Sequence, residues 1–431
     1  MSPTPRAGAR AVALEAIRRV VDGEGYSTIV IPAALTRSGL DARDRAFAAE
    51  LAFGTIRRIG ALDWAIARRA SRPVGRMTPG VRGVVRLGAY QLLFAGVAPH
   101  AAVGETVGLL PSKERGFANA VLRKLAADPP PWPAGRGEDD VAVRTGMSAW
   151  AIRELGRIVA GDAEAAAAGF AERAPLCLRT NTCAVTVEEL GRALAAIGYT
   201  PAASSLDPDC LLLDRGDPTS LPGFRRGWFA VQDHASAVVV RALDPGPGER
   251  ILDVCAAPGG KAGHLACLVG EEGLVVAADL RPQRAALIRR SAHRLGVHPL
   301  VVAQDATRPA LRGSFDRVLV DAPCSGIGSA RRRPELLWRP RADELSRLAR
   351  LQVAVASTAA DLLMPGGRLV YSVCTFPRAE TDAAADAILR HRPDLEPAEV
   401  PAPDGSAERF RLWPHLHRSD GMFVAGFRKR L

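Results

Sequence analysis

The sequence is poor in aromatics and lacks paired cysteines. Phe, Trp and Tyr make up 5% of its 431 residues, against 48% apolar residues in all. A core of that composition is filled mainly by Leu, Val and Ala. The seven cysteines never form C-x-x-C, which excludes zinc-ribbon spacing. An odd count spread over so long a chain argues against a disulfide scaffold and fits a reducing cytoplasm. No apolar run is long enough to cross a bilayer, and the opening M-S-P-T-P-R has no apolar signal core. G-x-G-x-x-G is absent, which makes a dehydrogenase a poor reading, and so is a phosphate-cradling P-loop. These absences leave a cytoplasmic protein, expected to be a monomer with no membrane partner and no metal.

What is present is positive charge. The net charge is +11 and the isoelectric point about 9.9. A polyanionic partner follows, since Lys and Arg gain by releasing counterions from phosphates. A basic, Arg-rich proteome explains the charge equally well.

The length requires more than one domain. Residues 1–128 read as all-helical: Leu14, Ile17 and Val21 recur at helical spacing, as do Val81, Val84, Val85, Gly88 and Leu92. Arginines fill the other faces. Residues 129–145 hold A-D-P-P-P-W-P-A-G-R-G-E-D-D in large part and read as a linker. Residues 146–240 mix strands (P-L-C-L-R-T-N-T, C-L-L-L-D, G-W-F-A-V-Q-D) with the helix V-E-E-L-G-R-A-L-A-A-I-G, a small α+β domain. From 241 to 431 strand-like and helix-like runs alternate: R-I-L-D-V, K-A-G-H-L-A-C-L-V, G-L-V-V-A-A-D, R-A-A-L-I-R-R-S-A-H-R-L, and onward. That is the βαβ rhythm of a parallel, doubly wound α/β sheet of Rossmann-like type.

Ligands of such sheets bind beyond the carboxyl ends of the strands. The first strand runs into D-V-C-A-A-P-G-G-K, Asp253 to Lys261. Its glycines let the backbone approach a ligand, and the helix after them begins with free N–H groups. The next strands end at Asp279, Asp305 and Asp321. Asp279 falls about 20 residues past the glycines, where a carboxylate can accept from ribose hydroxyls. A nucleoside-bearing ligand explains these acids better than solubility does.

D-V-C-A-A-P-G-G-K, D-A-P-C-S-G-I-G and Y-S-V-C-T-F together resemble the RNA cytosine-5 methyltransferases of the NOL1/NOP2/Sun family. R-D-R-A-F-A-A-E-L-A-F-G-T-I-R-R, R-L-G-A-Y-Q-L-L-F and G-F-A-N-A-V-L-R-K-L look NusB-like. The chain order is similar to the bacterial Sun-type small-subunit rRNA enzymes, in which a NusB-like RNA-binding domain precedes the catalytic part. The resemblance implies S-adenosylmethionine as cofactor. Cys255, Ala256, Ala257, Pro258, Gly259, Gly260 and Lys261 would wrap its methionine and ribose end. Asp279 would bind the ribose, Asp305 face the adenine, and Asp321 lie near the methyl donor and target base. It implies small-subunit rRNA as partner, bound by the NusB-like domain and by the small α+β domain of residues 146–240; a tRNA methyltransferase and a non-catalytic NusB-like antitermination factor are the alternatives.

Carbon 5 of cytosine is a poor nucleophile. A thiolate adding at carbon 6 breaks the aromaticity and makes carbon 5 enamine-like. In the family the cysteine of the later motif attacks, here Cys374, and the Pro-Cys thiol, here Cys324, helps release the product. DNA cytosine-5 methyltransferases use the Pro-Cys thiol, and sequence alone does not rank the two. Asp321 is expected to contact ring nitrogen 3. The chain departs from the family at Val373, where Thr is usual, and in E-T-D for E-N-E, with Glu380 in register. Cys177, Cys183, Cys210 and Cys267 read as core or incidental, and His264 and His234 as structural. Arg331, Arg332 and Arg333 follow the Cys324 loop and are expected to clamp RNA phosphates. The C-terminal S-D-G-M-F-V-A-G-F is expected to form an antiparallel edge strand.

Overall fold

The computed structural model describes residues 8–431 except 24 and 160. The opening M-S-P-T-P-R lies outside the described residues. The chain divides into one unit of residues 1–172 with 330–340, and a second of 173–329 with 341–431.

The first unit is helical. Its helices are α1 Ala9–Val21, α2 Ser27–Arg37, α3 Ala42–Arg57, α4 Ile59–Ala67, α5 Pro79–Leu93, α6 Pro99–Val107 and α7 Ser112–Ala127, followed by α8 Glu138–Thr145, α9 Ala149–Ile158 and α10 Ala163–Ala171. The predicted apolar periods face one core, with Ile17, Val84, Val85 and Leu92 packed among Ile31, Leu51, Leu62 and Leu122. The expected linker is in part helix. Glu138, Asp139 and Asp140 occupy the first turn of α8 and Arg144 its last, signs that suit the helix dipole. Gly146, at φ +77°, ends it. Prolines stop short of this turn, so the Pro/Gly-rich composition marks only the residues before it.

Residues 330–340 complete this unit. Ser27 N–H donates to Glu335 Oε1 at 3.1 Å, Trp338 Nε1 to Ile56 O at 3.1 Å, and Arg339 Nη2 to Val20 O at 2.6 Å. The Arg331–Arg333 run is therefore no open phosphate clamp. Arg331 is 4% exposed and its carbonyl accepts from Arg57, while the Arg333 guanidinium lies 4.3 Å over Tyr26. The apolar neighbours Leu336 and Leu337 carry the run into the protein; both are buried.

The second unit has two larger sheets. β1 Leu176–Thr180, β2 Ala202–Ala203, β3 Cys210–Leu213 and β4 Phe229–Val231 form a small antiparallel sheet in the order β2-β3-β1-β4. Helix α11, Val187–Ala195, covers it, capped by a reciprocal Thr186–Glu189 pair. Next comes α12, His234–Leu243, whose Val238, Val239, Val240 and Leu243 pack with Ile251, Val370 and Val424 of the following sheet and with Leu265 of the helix after its first strand. A boundary at 240/241 thus cuts through a helix that belongs to the α/β layer.

In that layer β5 Arg250–Asp253, β6 Leu274–Asp279, β7 Leu300–Ala303, β8 Phe315–Asp321 and β9 Leu363–Val373 run parallel. Helices α13 Gly260–Val269, α14 Pro282–Leu295, α15 Ala342–Asp361 and α16 Asp382–His391 alternate with them. Their apolar runs suit strands buried on both faces. β10 Leu395–Pro397, β11 Val400–Ala402, β12 Gly405–Ala407, β13 Arg409–Leu412 and β14 Met422–Lys429 follow. The order is β10-β14-β9-β8-β5-β6-β7, with β13 also on β14. β14 is not an edge strand: it lies between β9 and β10, antiparallel to both. Phe423, Val424, Ala425 and Phe427 are accordingly buried on both faces. No described helix is long and apolar enough to cross a membrane.

Candidate active site

The register of β8 and β9 sets Asp321 opposite Ser372, at the carboxyl end of the parallel sheet. The loops that leave these strands carry Cys324 and Cys374. Their sulfurs lie 3.5 Å apart. This is hydrogen-bond distance for sulfur, not a disulfide, and both thiols are free and partly exposed.

Their surroundings set the two thiols apart. Cys374 is held below the ordinary thiol range, first by the S–H of Cys324 and then by the Lys261 ammonium, against burial and the Asp321 charge. Cys324 is pushed well up, first by donating to Cys374, then by burial and the charges of Cys374, Glu380 and Asp321. Of the two thiols, Cys374 is therefore the more readily ionised.

Lys261 leaves the first turn of α13 and donates to Asp321 Oδ2 at 2.7 Å; Ser372 Oγ donates to Oδ1 at 2.9 Å. Asp321 is therefore fixed in place between the cofactor loop and the cysteine strands. Asp253, at the end of β5, is fully buried, and no side chain hydrogen-bonds either carboxylate oxygen, although the Cys255 N–H lies near enough to favour the charged form. Burial and the charge of Asp321 push its pKa up to about 7. An unbalanced carboxylate beside a glycine loop suits a cationic ligand.

The glycine loop expected to hold the cofactor keeps its residues together. Ala256 N–H donates to Ala278 O at 2.8 Å, and the Ala257–Pro258 bond is cis. Gly259 has φ +106°, and a Cβ there would meet Ile288 Cα at 3.0 Å, so only glycine fits without strain. Asp279 is 4% exposed and reaches this loop, accepting from Ala257 N–H at 3.3 Å. Arg284, a residue not read from the sequence, donates to both Asp279 oxygens at 2.9 and 3.1 Å and to Ala257 O. Its signal was R-P-Q-R at the start of the helix after Asp279.

Asp305 departs from expectation. β7 ends at Ala303, and Asp305 is exposed. Its carboxylate accepts from the hydroxyl and N–H of Thr307 at 2.7 and 2.8 Å, which hold its pKa below the usual range. The carboxylate is turned onto its own loop.

A second missed element joins the cysteine loops. Glu380 is fully buried and accepts from Ser325 N–H at 2.9 Å, Ser325 Oγ at 2.5 Å and Gln352 Nε2 at 2.9 Å. Gln352 also donates to Pro323 O, and Tyr371 donates to Glu380 O at 2.6 Å. Ser325 Oγ lies 2.7 Å from Thr375 Oγ1. One buried network thus holds both neighbours of Cys324 and, through Tyr371 and Thr375, the strand end that carries Cys374. Gly328 closes the arrangement: its N–H donates to Cys374 O, and a Cβ would fall 2.1 Å from Gly421 O. Val373 is buried and apolar, and the hydroxyls at this turn come from Ser372 and Thr375.

The remaining cysteines and histidines lie elsewhere. Cys177 and Cys210 are buried together with Ala237. Cys183 and Cys267 are joined by a disulfide, contrary to expectation; the sequence does not reveal that the turn after β1 lands beside α13. His264, buried near Asp209, is pushed down to about 3 by desolvation and stays neutral. His234 Nδ1 lies 2.7 Å from Ser204 Oγ, a packing role. Among the described residues no group of three or more His, Cys, Asp or Glu is placed to hold a metal ion.

Comparison with known proteins gives this geometry a family. Residues 240–428 match the family described as 16S rRNA methyltransferase RsmB/F, and residues 7–127 match the NusB family. A putative methyltransferase of Mycobacterium tuberculosis is 39% identical, over 98% of this chain and 96% of the relative. A Synechocystis protein named probable ribosomal RNA small subunit methyltransferase B is 33% identical, over 98% of this chain and 99% of its own. The crystal structure of PH0851 matches with a TM-score of 0.84 at 26% identity, covering 100% of both chains. The chain belongs to the RsmB/F family of 16S rRNA methyltransferases and is an S-adenosylmethionine-dependent RNA methyltransferase.

Proposed function

We propose that the protein methylates carbon 5 of a cytosine in small-subunit rRNA through a covalent bond between Cys374 and carbon 6 of the base. The observation that carries this reading is the 3.5 Å approach of the two sulfurs beside the Lys261–Asp321 pair. The names of the Synechocystis relative and of others at 31–33% identity support rRNA as substrate.

The Cys374 thiolate adds to carbon 6, and the ring electrons move to carbon 5. Asp321 faces ring nitrogen 3 and Lys261 holds its carboxylate in position. The cofactor supplies an electrophilic methyl group, which carbon 5 takes up. A base then removes the hydrogen on carbon 5, the electron pair returns to the ring, and the Cys374 thiolate leaves. Cys324, kept as the protonated thiol, assists that departure. Residues 255–261 with Asp279 hold the cofactor, and the unpaired Asp253 carboxylate offers negative charge to it. The base must leave its stack to be reached from both faces, so a loop or single strand is the cheapest target.

The test is 5-methylcytosine mapping after incubation with rRNA, tRNA and S-adenosylmethionine. The mark is expected in small-subunit rRNA; a mark confined to tRNA refutes the substrate. Cys374→Ala is expected to abolish transfer while cofactor binding survives. Cys324→Ala is expected to accumulate a protein–RNA adduct resistant to denaturant. Full turnover by the Cys374 variant ends the proposal.

A further inference from the structure

The loop between β3 and β4 takes no part in this site, and it gathers basic and hydroxyl side chains around one recess. Its stretch P-T-S-L-P-G-F-R-R-G-W, residues 218–228, exposes Arg225 and Arg226. Among the described residues no carboxylate pairs with either. With Thr219, Ser220, Leu221 and Gly223 they line a cavity of about 380 Å³. That is near the low end of small-molecule sites, roughly 300–1,000 Å³. Its wall is made of guanidinium and hydroxyl donors with a single apolar side chain, Leu221. Such a wall selects an anion and rejects an apolar ligand. The carboxylate of this turn, Asp217, is already engaged, accepting from the Thr219 N–H at 2.9 Å and its hydroxyl at 2.7 Å.

The frame beneath the arginines is fixed from the catalytic sheet. Arg294 on α14 donates to Phe224 O at 3.1 Å and Phe229 O at 2.9 Å, and its guanidinium lies 4.6 Å over the Phe224 ring. Asn181 Nδ2 donates to Gly227 O at 2.8 Å and to Leu295 O at 2.7 Å. Gly227 has φ +71°, and a Cβ would fall 2.1 Å from Arg294 O. The loop is therefore clamped to the same helix that carries Arg284 of the cofactor site. The Arg226 guanidinium also lies 5.5 Å over Trp228, which keeps a flat apolar surface beside the charge.

We propose that Arg225, Arg226, Thr219 and Ser220 form a docking site for the phosphodiester backbone of the substrate RNA, set at a fixed distance from the catalytic cysteines. This rests on the reading of RNA as substrate. The site fixes register without reading bases, since phosphate contacts position and base contacts specify. Guanidinium forks match phosphate oxygens in pairs.

The experiment uses the full chain and a fluorescent small-subunit rRNA fragment, with anisotropy read across a salt series. The Arg225→Gln/Arg226→Gln double variant is expected to bind more weakly. Its slope of log K against log salt becomes shallower by about 0.7–0.9 for each phosphate contact removed. Arg225→Lys/Arg226→Lys keeps most of the wild-type slope. S-adenosylmethionine affinity and the thermal melt stay at wild-type values, which separates docking from folding; if the double Gln variant melts early, the single Arg225→Gln and Arg226→Gln variants are read instead. A Gln variant with wild-type affinity and slope overturns the site, as does weaker binding with an unchanged slope. Wild-type protein that binds RNA with the steep slope but leaves cytosine unmethylated overturns the proposed function alone.

Discussion

The second unit holds two pairs of neighbouring free cysteines in different electrostatic surroundings. Cys177 and Cys210 sit in the small antiparallel sheet, and Cys324 and Cys374 beyond the parallel one. In each pair one thiol donates to the other and is driven up by that bond and by burial: Cys210 and Cys324. The difference lies in what faces the acceptor. Cys177 is buried against Ala237 and Leu212. Cys374 faces the Lys261 ammonium and is partly open to solvent. A thiol neighbour is common to both pairs; the nearby ammonium and the opening to solvent are found only in the pair that holds Cys374. Cys183 and Cys267 teach the same from the other side, since their sulfurs are consumed by each other.

Identical changes in the two pairs give the largest contrast. Cys374→Ala is expected to reduce methyl transfer below detection. Cys210→Ala is expected to leave turnover at wild-type level and to cost about 1 kcal/mol of stability from the lost packing. Parallel methyl-transfer assays and denaturant titrations check both. Equal activity losses would mean that the two pairs are not functionally distinct.

The support of the reactive pair is the next point of attack. Glu380→Ala removes the acceptor shared by Ser325 and Gln352, while both thiols and the Lys261–Asp321 pair remain. The Cys324 loop loses its fixed position, and kcat is expected to fall about 100-fold, the scale of a displacement near 1 Å. S-adenosylmethionine affinity should hold. Glu380→Gln keeps the acceptor carbonyl and is expected to recover part of the rate. A Glu380→Ala enzyme with wild-type kcat would show that the network does not position the thiols.

Smaller still is the effect of the charge itself. Lys261 lowers the pKa of Cys374, so the thiolate persists to lower pH than in an ordinary cysteine. The rate of Cys374 alkylation by iodoacetamide rises with pH through that pKa. In Lys261→Met the rise should move to higher pH, with peptide mass spectrometry separating Cys374 from Cys324. An unmoved profile would remove Lys261 from the account.

Much of this was legible in the sequence, for a clear reason. The βαβ alternation, the glycine loop and the acids and cysteines at strand ends are local patterns, and a parallel sheet gathers strand ends at one side. Glu380 was noticed only for its register in a motif; its role depends on Gln352, 28 residues away on α15. Asp305 lies two residues past the end of its strand, where a turn to Thr307 captures it, an outcome that the strand pattern leaves open. The Arg331–Arg333 run has the composition of a surface patch, and only Glu335 and Trp338 reveal that the segment enters the helical unit. Helix α10 is hard to read because its Ala-rich stretch A-E-A-A-A-A-G-F-A carries a weak apolar period, whereas α9, A-W-A-I-R-E-L-G-R-I, has a clear one that buries Ala151, Ile152 and Leu155.

Asp253 offers a last, pH-dependent handle on why the reactive region differs from the inert one. The carboxyl end of the sheet retains a buried carboxylate with no side-chain hydrogen-bond partner, its pKa raised to about 7. In the unfolded chain the group titrates near its ordinary value of about 3.9. Between about pH 4 and 7 the folded cofactor-free protein therefore binds more protons than the unfolded one, and its stability falls as pH rises through this window. Below it both states are protonated and the penalty vanishes. Above it both are charged and the penalty is complete, with a ceiling of about 4 kcal/mol. Asp253→Asn removes the titration. The melting temperature of the variant minus that of the wild type should be constant below pH 4, climb through neutral pH and level off above it. A difference independent of pH would mean that the carboxylate is neutralised or solvated in the fold. The cationic-ligand reading of this end of the sheet would then lose its electrostatic support.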